Sequence, residues 1–553
     1  MANALGCLVT CCSVRLLNNR NASSVFSNRG RQVCNCTIRS VIGLPGCRRP
    51  KHQWSCLQAI SSAYPLPWMP LRLQRHTPTT RPSMDEPNNT EKDVASPPPE
   101  TWEQDSQNPL NWPSREKFKN TFIASISAFT ASVGTSLPSS ATYQYQEEFG
   151  VNVMQSILPL SMYVFALGLG PVLGGPLSET VGRHPIYAGS MFFGALFTVG
   201  AGLTHNFGAL CFLRFMAGFS FSPSLAVGAG TISDMFHPAQ RGLPSTLFIL
   251  MPFLGPGFGP VIGSFVIVRK GWRWTQWTLV FFATASLLVS LAGKETYRPI
   301  LERRRAKRLG HPTGDKTPLG SHILMFLRIA LVRPLHMLFT EPIITFVALY
   351  VACEFATLFA FFAGVPYVFR RVHGFSIEQS GLVFISIVIG CLLGAVTIIV
   401  LTVVSYLPRA KQLHPERVPP EYRLIPAMFG SIGLPISLFM FGWTARDDIS
   451  WAVPAFAIII FAWGNLCIFV STIQYTVDTY TGANVASGAS ANGFARYTLA
   501  GVLPLFTVQM YRSLGIPWAA SLLAFVSLAL APVPWVLFKW GHIIRKKSRY
   551  ETA

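Results

Sequence analysis

The chain has 553 residues, 50% hydrophobic and only 12% charged, with a net charge of +21 and a mean hydropathy of +0.38. Soluble domains carry about 25% charged residues. Half that fraction, with long apolar runs throughout, excludes an ordinary soluble protein and points to many membrane-crossing helices, since backbone in lipid must satisfy its own hydrogen bonds. The positive charge does not argue for nucleic acid: residues 1–83 hold eleven Lys/Arg and no Asp or Glu, so they alone supply +11.

In chain order, that first segment, 1–83, also holds seven of the eleven cysteines. It is Arg- and Ser-rich and acid-free, which is transit-peptide composition, without a clean cleavable signal peptide. Cys34 and Cys36 have the wrong spacing for the C-x2-C pair of a zinc site, and no disulfide framework is legible. At Met84 the composition changes to the acidic, Pro-rich "MDEPNNTEKDVASPPPE" of a disordered tail, 84–118. Met84 is therefore expected to be the working start and 1–83 a dispensable extension, with organelle targeting as the other reading.

From there the chain reads as spans and short loops. Candidate spans are 119–139, 155–177, 185–203, 207–231, 243–267 and 274–293, then 342–366, 377–404, 424–444, 451–475, 484–509 and 517–538. This predicts an all-α polytopic protein with twelve transmembrane helices in two halves, 119–293 and 342–538. The loop between them, 294–341, contains "ERRRAKR" and an amphipathic stretch, "SHILMFLRIALVRPLHMLF", expected to lie on the membrane surface. A basic tail, 539–553, closes the chain. Cys211, Cys353, Cys391 and Cys467 lie in apolar runs and read as small core residues. Lys/Arg accumulate in 84–118, in the central loop (ten), in 405–423 (four) and in the tail (five), which places both termini in the cytoplasm. The sequons at Asn21, Asn35 and Asn88 would then stay unglycosylated.

Three stretches carry more than hydropathy. Between spans 2 and 3 lies Gly175-Pro-Leu177-Ser-Glu179-Thr180-Val-Gly182-Arg183-His184, an acid and an arginine among turn glycines. The acid can sit at a helix N-terminus or pair with an arginine, and Arg183 can bond helix-end carbonyls or an acid across the half-interface. Such a cluster works as a latch, closed when the opposite side is open. Span 4 places Arg214 and Gly218 within "LCFLRFMAGFSFSPS", and an intramembrane arginine is costly unless it faces a cavity or a partner. Span 5 has Gly255, Gly259, Pro260 and Gly263, which permit close helix approach and a bend.

These stretches resemble the signature loop G-x-L-x-D-R-x-G-R-[RK], the span-4 pattern L-x-x-x-R-x-x-Q-G and the antiporter motif G-x-x-x-G-P-x-x-G-G of the major facilitator superfamily. Glu179, Thr180, His184, Ala217 and Ser264 depart from those patterns. The stretches "NPLNWP" at 108–113, 419–445 and 489–523 resemble its fungal branch of twelve-span drug:proton antiporters, the multidrug and toxin efflux type. The resemblance implies two six-helix halves rocking about a midplane site. It also implies export of a lipophilic small molecule (drug, toxin or secondary metabolite) in exchange for protons, at the plasma membrane rather than the vacuole, by a monomer. A polyamine or other organic-cation transporter of the same fold is the alternative. A polytopic receptor or membrane-embedded enzyme is the rival class, although no Walker A loop, H-E-x-x-H or G-x-S-x-G occurs and no cofactor or metal motif is legible.

Proton coupling needs a titratable group, and acids within spans are few. Glu354 in span 7 is the clearest, either as the coupling group or as a neutral structural carboxyl. Asp234 and Asp478 look like helix-end charges and are the other candidates. Arg496 in span 11 is expected to be structural or gating, facing the pore or bonding Glu179. By residue type, Tyr163, Phe362, Asn465, Gln474 and Asn492, with Tyr143, Tyr145 and Tyr367, are candidates for a largely apolar substrate cavity.

Overall fold

The computed structural model describes residues 102–103, 105–237, 240–308, 332–413, 418–481, 483–550 and 552. The 1–83 extension, the Met84 start, Cys34, Cys36, the three sequons and most of the amphipathic loop stretch lie outside the described residues.

The first half contains α1 (Ser114–Ser136), a short α2 (Thr142–Phe149), α3 (Val153–Thr180), α4 (Arg183–Leu203), α5 (Phe207–Phe221) running into α6 (Pro223–Met235), α7 (Gly242–Lys270) and α8 (Arg273–Leu291). Two short helices follow, α9 (Arg298–Arg308) and α10 (Arg333–Thr340). The second half contains α11 (Pro342–His373), a short α12 (Ile377–Leu382) before α13 (Ile385–Leu401), α14 (Leu407–Leu413), α15 (Ile425–Thr444), α16 (Ala452–Thr479), α17 (Ala483–Leu530) and α18 (Pro532–Lys546).

Ten segments of the described residues are long and apolar enough to cross a bilayer. The last of them, 63 residues long, is two crossings, because Gly515 breaks α17 with φ 75° and ψ 161°. The twelfth crossing is α1, which hydropathy alone rejects because it carries Asn120, Ser125, Ser127, Thr130, Ser132, Thr135 and Ser136. All of these are buried in the bundle, not in lipid. Two of their hydroxyls find partners there: Thr130 bonds Ser286 on α8 at 2.7 Å, and Thr135 returns to the Ser132 carbonyl at 2.7 Å.

The halves meet along two seams. On one, α7 faces α12 and α13: a Cβ on Gly381 would strike Ser264, and one on Gly257 would strike Val388. On the other, α3 faces α17, with Gly168 against Tyr497 and Gly501 against Phe165. Small residues in these seams let backbones approach where lipid supplies no hydrophobic drive between helices.

Candidate functional site

At the end of the bundle where α1 begins and α18 ends, Arg183 is the centre of a buried cluster. The chain turns from α3 to α4 at Gly182, with φ 117°, and a Cβ there would strike the Glu295 carboxylate. That carboxylate, just beyond α8, accepts the backbone N–H of Arg183 at 2.9 Å and of His184 at 3.3 Å, capping the positive N-terminus of α4. The Arg183 guanidinium donates to Asp234 Oδ2 at the end of α6 (3.1 Å) and to Ser178 Oγ on α3 (2.6 Å), and it lies 4.9 Å from the Tyr297 ring. Thr296 donates a further bond to Asp234 at 3.3 Å. One side chain thus ties α3, α4, α6 and the post-α8 loop together.

Glu179, the acid of the hairpin, is exposed on the last turn of α3. The acids that do the pairing are Asp234 and Glu295, and this corrects the expectation that Glu179 does. A carboxylate in the last turn of a helix faces the negative end of the macrodipole and gains nothing there. Leu177 is likewise 42% exposed, and a Cβ on Gly175 would meet nothing.

The second half repeats the device at the same end. Arg423, just before α15, donates to Asp478 at the end of α16 at 2.8 Å and stacks 3.7 Å from the Tyr406 ring. Arginine and acid are 51 residues apart in the first half and 55 in the second. Two more buried acids reinforce this end. Glu421 pairs with Arg545 at 2.9 Å. Glu341 accepts from Tyr480 (3.2 Å), Ser548 (2.7 Å) and the Arg549 backbone N–H (2.9 Å), which docks the C-terminal tail. Sequence reasoning missed Glu295, Glu341 and Glu421. Their only signal was an acid within a few residues of a span end.

The span-4 and span-5 motifs are packing devices. Arg214 is buried and donates to the carbonyl of Gly134 at 2.6 Å, with its guanidinium 4.3 Å from the Tyr163 ring. Gly134 precedes Pro138 by four residues, so proline's missing N–H frees the very carbonyl that the arginine takes. Pro256 likewise frees the carbonyl of Pro252, which accepts Ser132 Oγ. A Cβ on Gly255 would lie 2.7 Å from the Val133 nitrogen, on Gly259 against Ser136, and on Gly263 against the Leu137 carbonyl. On α5, Gly218 abuts the Tyr163 backbone in the same way. Gly263→Val is expected to wedge α7 from α1 at a cost of about 1–3 kcal/mol, the range for overpacking. Thermal unfolding of the purified protein should report a clear fall in Tm for this variant and little change for Gly175→Ala.

At the other end of the bundle a cavity of about 490 Å³ opens between the halves. Its walls come from Pro138–Gln146, the start of α3, the second half of α11 and Pro504–Arg512 of α17. Of the candidates named from sequence, Phe362, Tyr143, Tyr145 and Tyr367 line it. Tyr163, Asn465, Gln474 and Asn492 do not. Tyr163 is fully buried and donates to the Ala131 carbonyl at 2.9 Å, while Asn465 donates to the Glu354 carbonyl at 3.2 Å. Asn492 is buried within α17 and Gln474 half-buried within α16, away from the cavity wall. Helices that are apolar on every side carry no periodic signal of which side faces the cavity.

The cavity floor is an aromatic plug. Phe362 packs on Phe359 (5.2 Å), Phe359 on Phe355 (5.9 Å), and Phe355 on Phe253 of α7 (5.3 Å) and Phe469 of α16 (5.5 Å). Arg496 sits within this plug, 4.4–4.6 Å from the Phe355, Phe469 and Tyr497 rings. It faces rings and not Glu179. Glu354 is 4% exposed and points away from the cavity, into a narrow cleft among α11, α15, α16 and α17 that is shared with Tyr350 and Ser527. Neither of its carboxyl oxygens has a hydrogen bond of ordinary geometry among the described residues. Beside the cavity mouth, Glu148 takes a two-pronged bond from Arg273 (2.5 and 2.9 Å) and one from the Trp272 indole (2.7 Å). That arginine holds the Glu148 carboxyl below the usual carboxylate range.

The model of the Major Facilitator Superfamily matches residues 124–504. Similar proteins include Polyamine transporter 4 of Saccharomyces cerevisiae, 35% identical over 81% of this chain and 72% of that protein. Efflux pump FUBT of Fusarium oxysporum is 34% identical over 81% of this chain and 76% of its own. The citrinin biosynthesis cluster MFS transporter mrr1 of Monascus ruber is 35% identical over 81% and 90%.

Proposed function

The chain belongs to the major facilitator superfamily, a family of membrane transporters, and from that premise we propose that it exports a small lipophilic molecule across the plasma membrane, taking up protons in exchange. One observation carries this reading. The latch of Arg183, Asp234 and Glu295 is made at one end of the bundle while the 490 Å³ cavity is open at the other. A protein built to alternate needs both features and needs them at opposite ends. The Lys/Arg excess at the latch end supports placing that end, with both termini, in the cytoplasm. The structure then corresponds to the outward-open state.

Direction is argued from the efflux pump and the metabolite-cluster transporter among the relatives. Proton coupling is argued from Glu354, which lies within a crossing helix without a cation partner, whereas Asp234 and Asp478 are held by arginines. The polyamine transporter among the relatives raises a second reading. The cavity disfavours it, since its wall includes Arg370, Arg371 and Arg512 and no Asp or Glu.

Purified protein in liposomes separates this from the receptor and enzyme classes. An imposed pH gradient should drive accumulation of an amphipathic dye, and collapse of the gradient should release it. Dye movement indifferent to the gradient would contradict proton exchange.

A further inference from the structure

We propose that the molecule carried is an amphipathic organic anion, the conjugate base of a lipophilic weak acid, which three arginines at the cavity mouth recognise. This rests on the transport reading above and names its substrate class.

The cavity mouth presents Arg370, Arg371 and Arg512. None of the three forms an ion pair among the described residues, although arginines elsewhere among them do, such as Arg183 with Asp234 and Arg423 with Asp478. The acids around the mouth are turned to other partners. Glu148 holds Arg273 at 2.5 Å, Glu378 lies 4.0 Å from Arg269, and Glu147 lies in a separate groove beside Lys270. Two of the three guanidinium groups are set against rings: Arg370 is 4.7 Å from the Tyr143 ring and Arg371 is 5.9 Å from the Tyr367 ring. A guanidinium set over a ring keeps its N–H edge free for a carboxylate, whose two oxygens that edge matches.

A further cation, Arg496, lies behind the aromatic plug. From Phe362 on the cavity floor to Phe355 on the Arg496 cage is two turns of α11, about 10 Å. Arg496 is ringed by aromatic faces, and its Nε has no hydrogen-bond partner among the described residues. The cavity therefore holds cations at its mouth, and the plug holds one more beneath its floor. The described cavity wall holds no competing carboxylate, and Glu354 points into a different cleft. Apolar wall residues such as Phe362, Leu160 and Val508 accept the lipophilic body. A polycation would meet only like charge here. With the cytoplasm at the latch end, the membrane potential itself pushes an anion outward.

The test uses the full chain in liposomes and a matched trio of probes that share one ring system: 2-naphthoate, 2-naphthamide and 2-naphthylmethylamine. Flux is read from each probe's own fluorescence. The wild type should carry naphthoate about tenfold faster than the amine, and its naphthoate flux should respond to an imposed membrane potential. Added salt should shrink that advantage, because charges in an open vestibule are screened. In the triple variant Arg370→Gln, Arg371→Gln, Arg512→Gln, the naphthoate-to-naphthamide ratio should fall about tenfold. The corresponding triple lysine variant should retain most of it. A wild type that prefers the amine, or a ratio unchanged by the glutamines, overturns the anion assignment and leaves transport standing. No flux for any of the three in the wild type overturns the transport reading and the assignment with it.

Discussion

Arg183→Ala is expected to reduce transport by more than about tenfold at equal protein levels in the membrane. Its side chain is 10% exposed and that of its partner Asp234 18%, so the pair is largely desolvated. Removing one member of a buried pair costs about 3–5 kcal/mol, because the other charge is left without compensation. Even at half that cost, the balance between the state closed at the latch end and the opposite state shifts by about tenfold or more. Thr296, at 3.3 Å, is the neighbour left bonded to Asp234 and carries no charge. The variant should therefore rest open at the latch end, bind substrate there and fail to complete the cycle. Glu179→Gln, in the same hairpin, should change transport by no more than about twofold, as surface substitutions do. Read from sequence alone, each of the two substitutions is expected to abolish or strongly reduce export. Wild-type transport by Arg183→Ala in reconstituted vesicles would remove the latch from the mechanism.

Glu354→Gln is expected to abolish accumulation driven by a pH gradient while leaving substrate–substrate exchange measurable. The substitution keeps the shape of the side chain and removes its ability to carry a proton. Each other candidate acid already has an arginine, Asp234 through Arg183 and Asp478 through Arg423. Glu354 has none, and an isolated charge within a crossing helix is expensive. It is therefore suited to exchanging its proton when the halves rearrange and water reaches its cleft. A Gln variant that accumulates dye against the gradient like the wild type would exclude Glu354 and turn attention to Asp234 and Asp478.

The crossings were legible because lipid demands long apolar helices, and the charge of the loops followed from the same physics. Even α1, whose buried hydroxyls lower its hydropathy, was among the candidate spans, as 119–139. The break at Gly515 lay in the gap between two candidate spans. Pairing was not legible. Arg183 was singled out, but Glu295 lies 112 residues from it and Asp234 51, and local sequence says nothing about which end of which helix comes near. Glu179 drew the eye because it is adjacent in sequence, yet its helix carries it to the surface. The cavity wall was half hidden for a related reason. In a bundle with lipid outside and apolar side chains inside, Phe362 on the wall and Tyr163 behind it look alike. Only packing tells them apart. Arg496 was visible as a costly residue, while its cage of Phe355, Phe469 and Tyr497 required three helices to be brought together.

If a closed latch goes with an open cavity at the far end, the accessibility of Ser140, on the cavity wall, reports it. In a background freed of native cysteines, Ser140→Cys is exposed to a membrane-impermeant maleimide from the extracellular side, with Arg183 intact or replaced by alanine. Labelling should be fast with the latch intact and at least about tenfold slower with Arg183→Ala, as the population moves to the opposite state. Labelling at the same rate in both, or only from the cytoplasmic side, would contradict that coupling of latch and cavity.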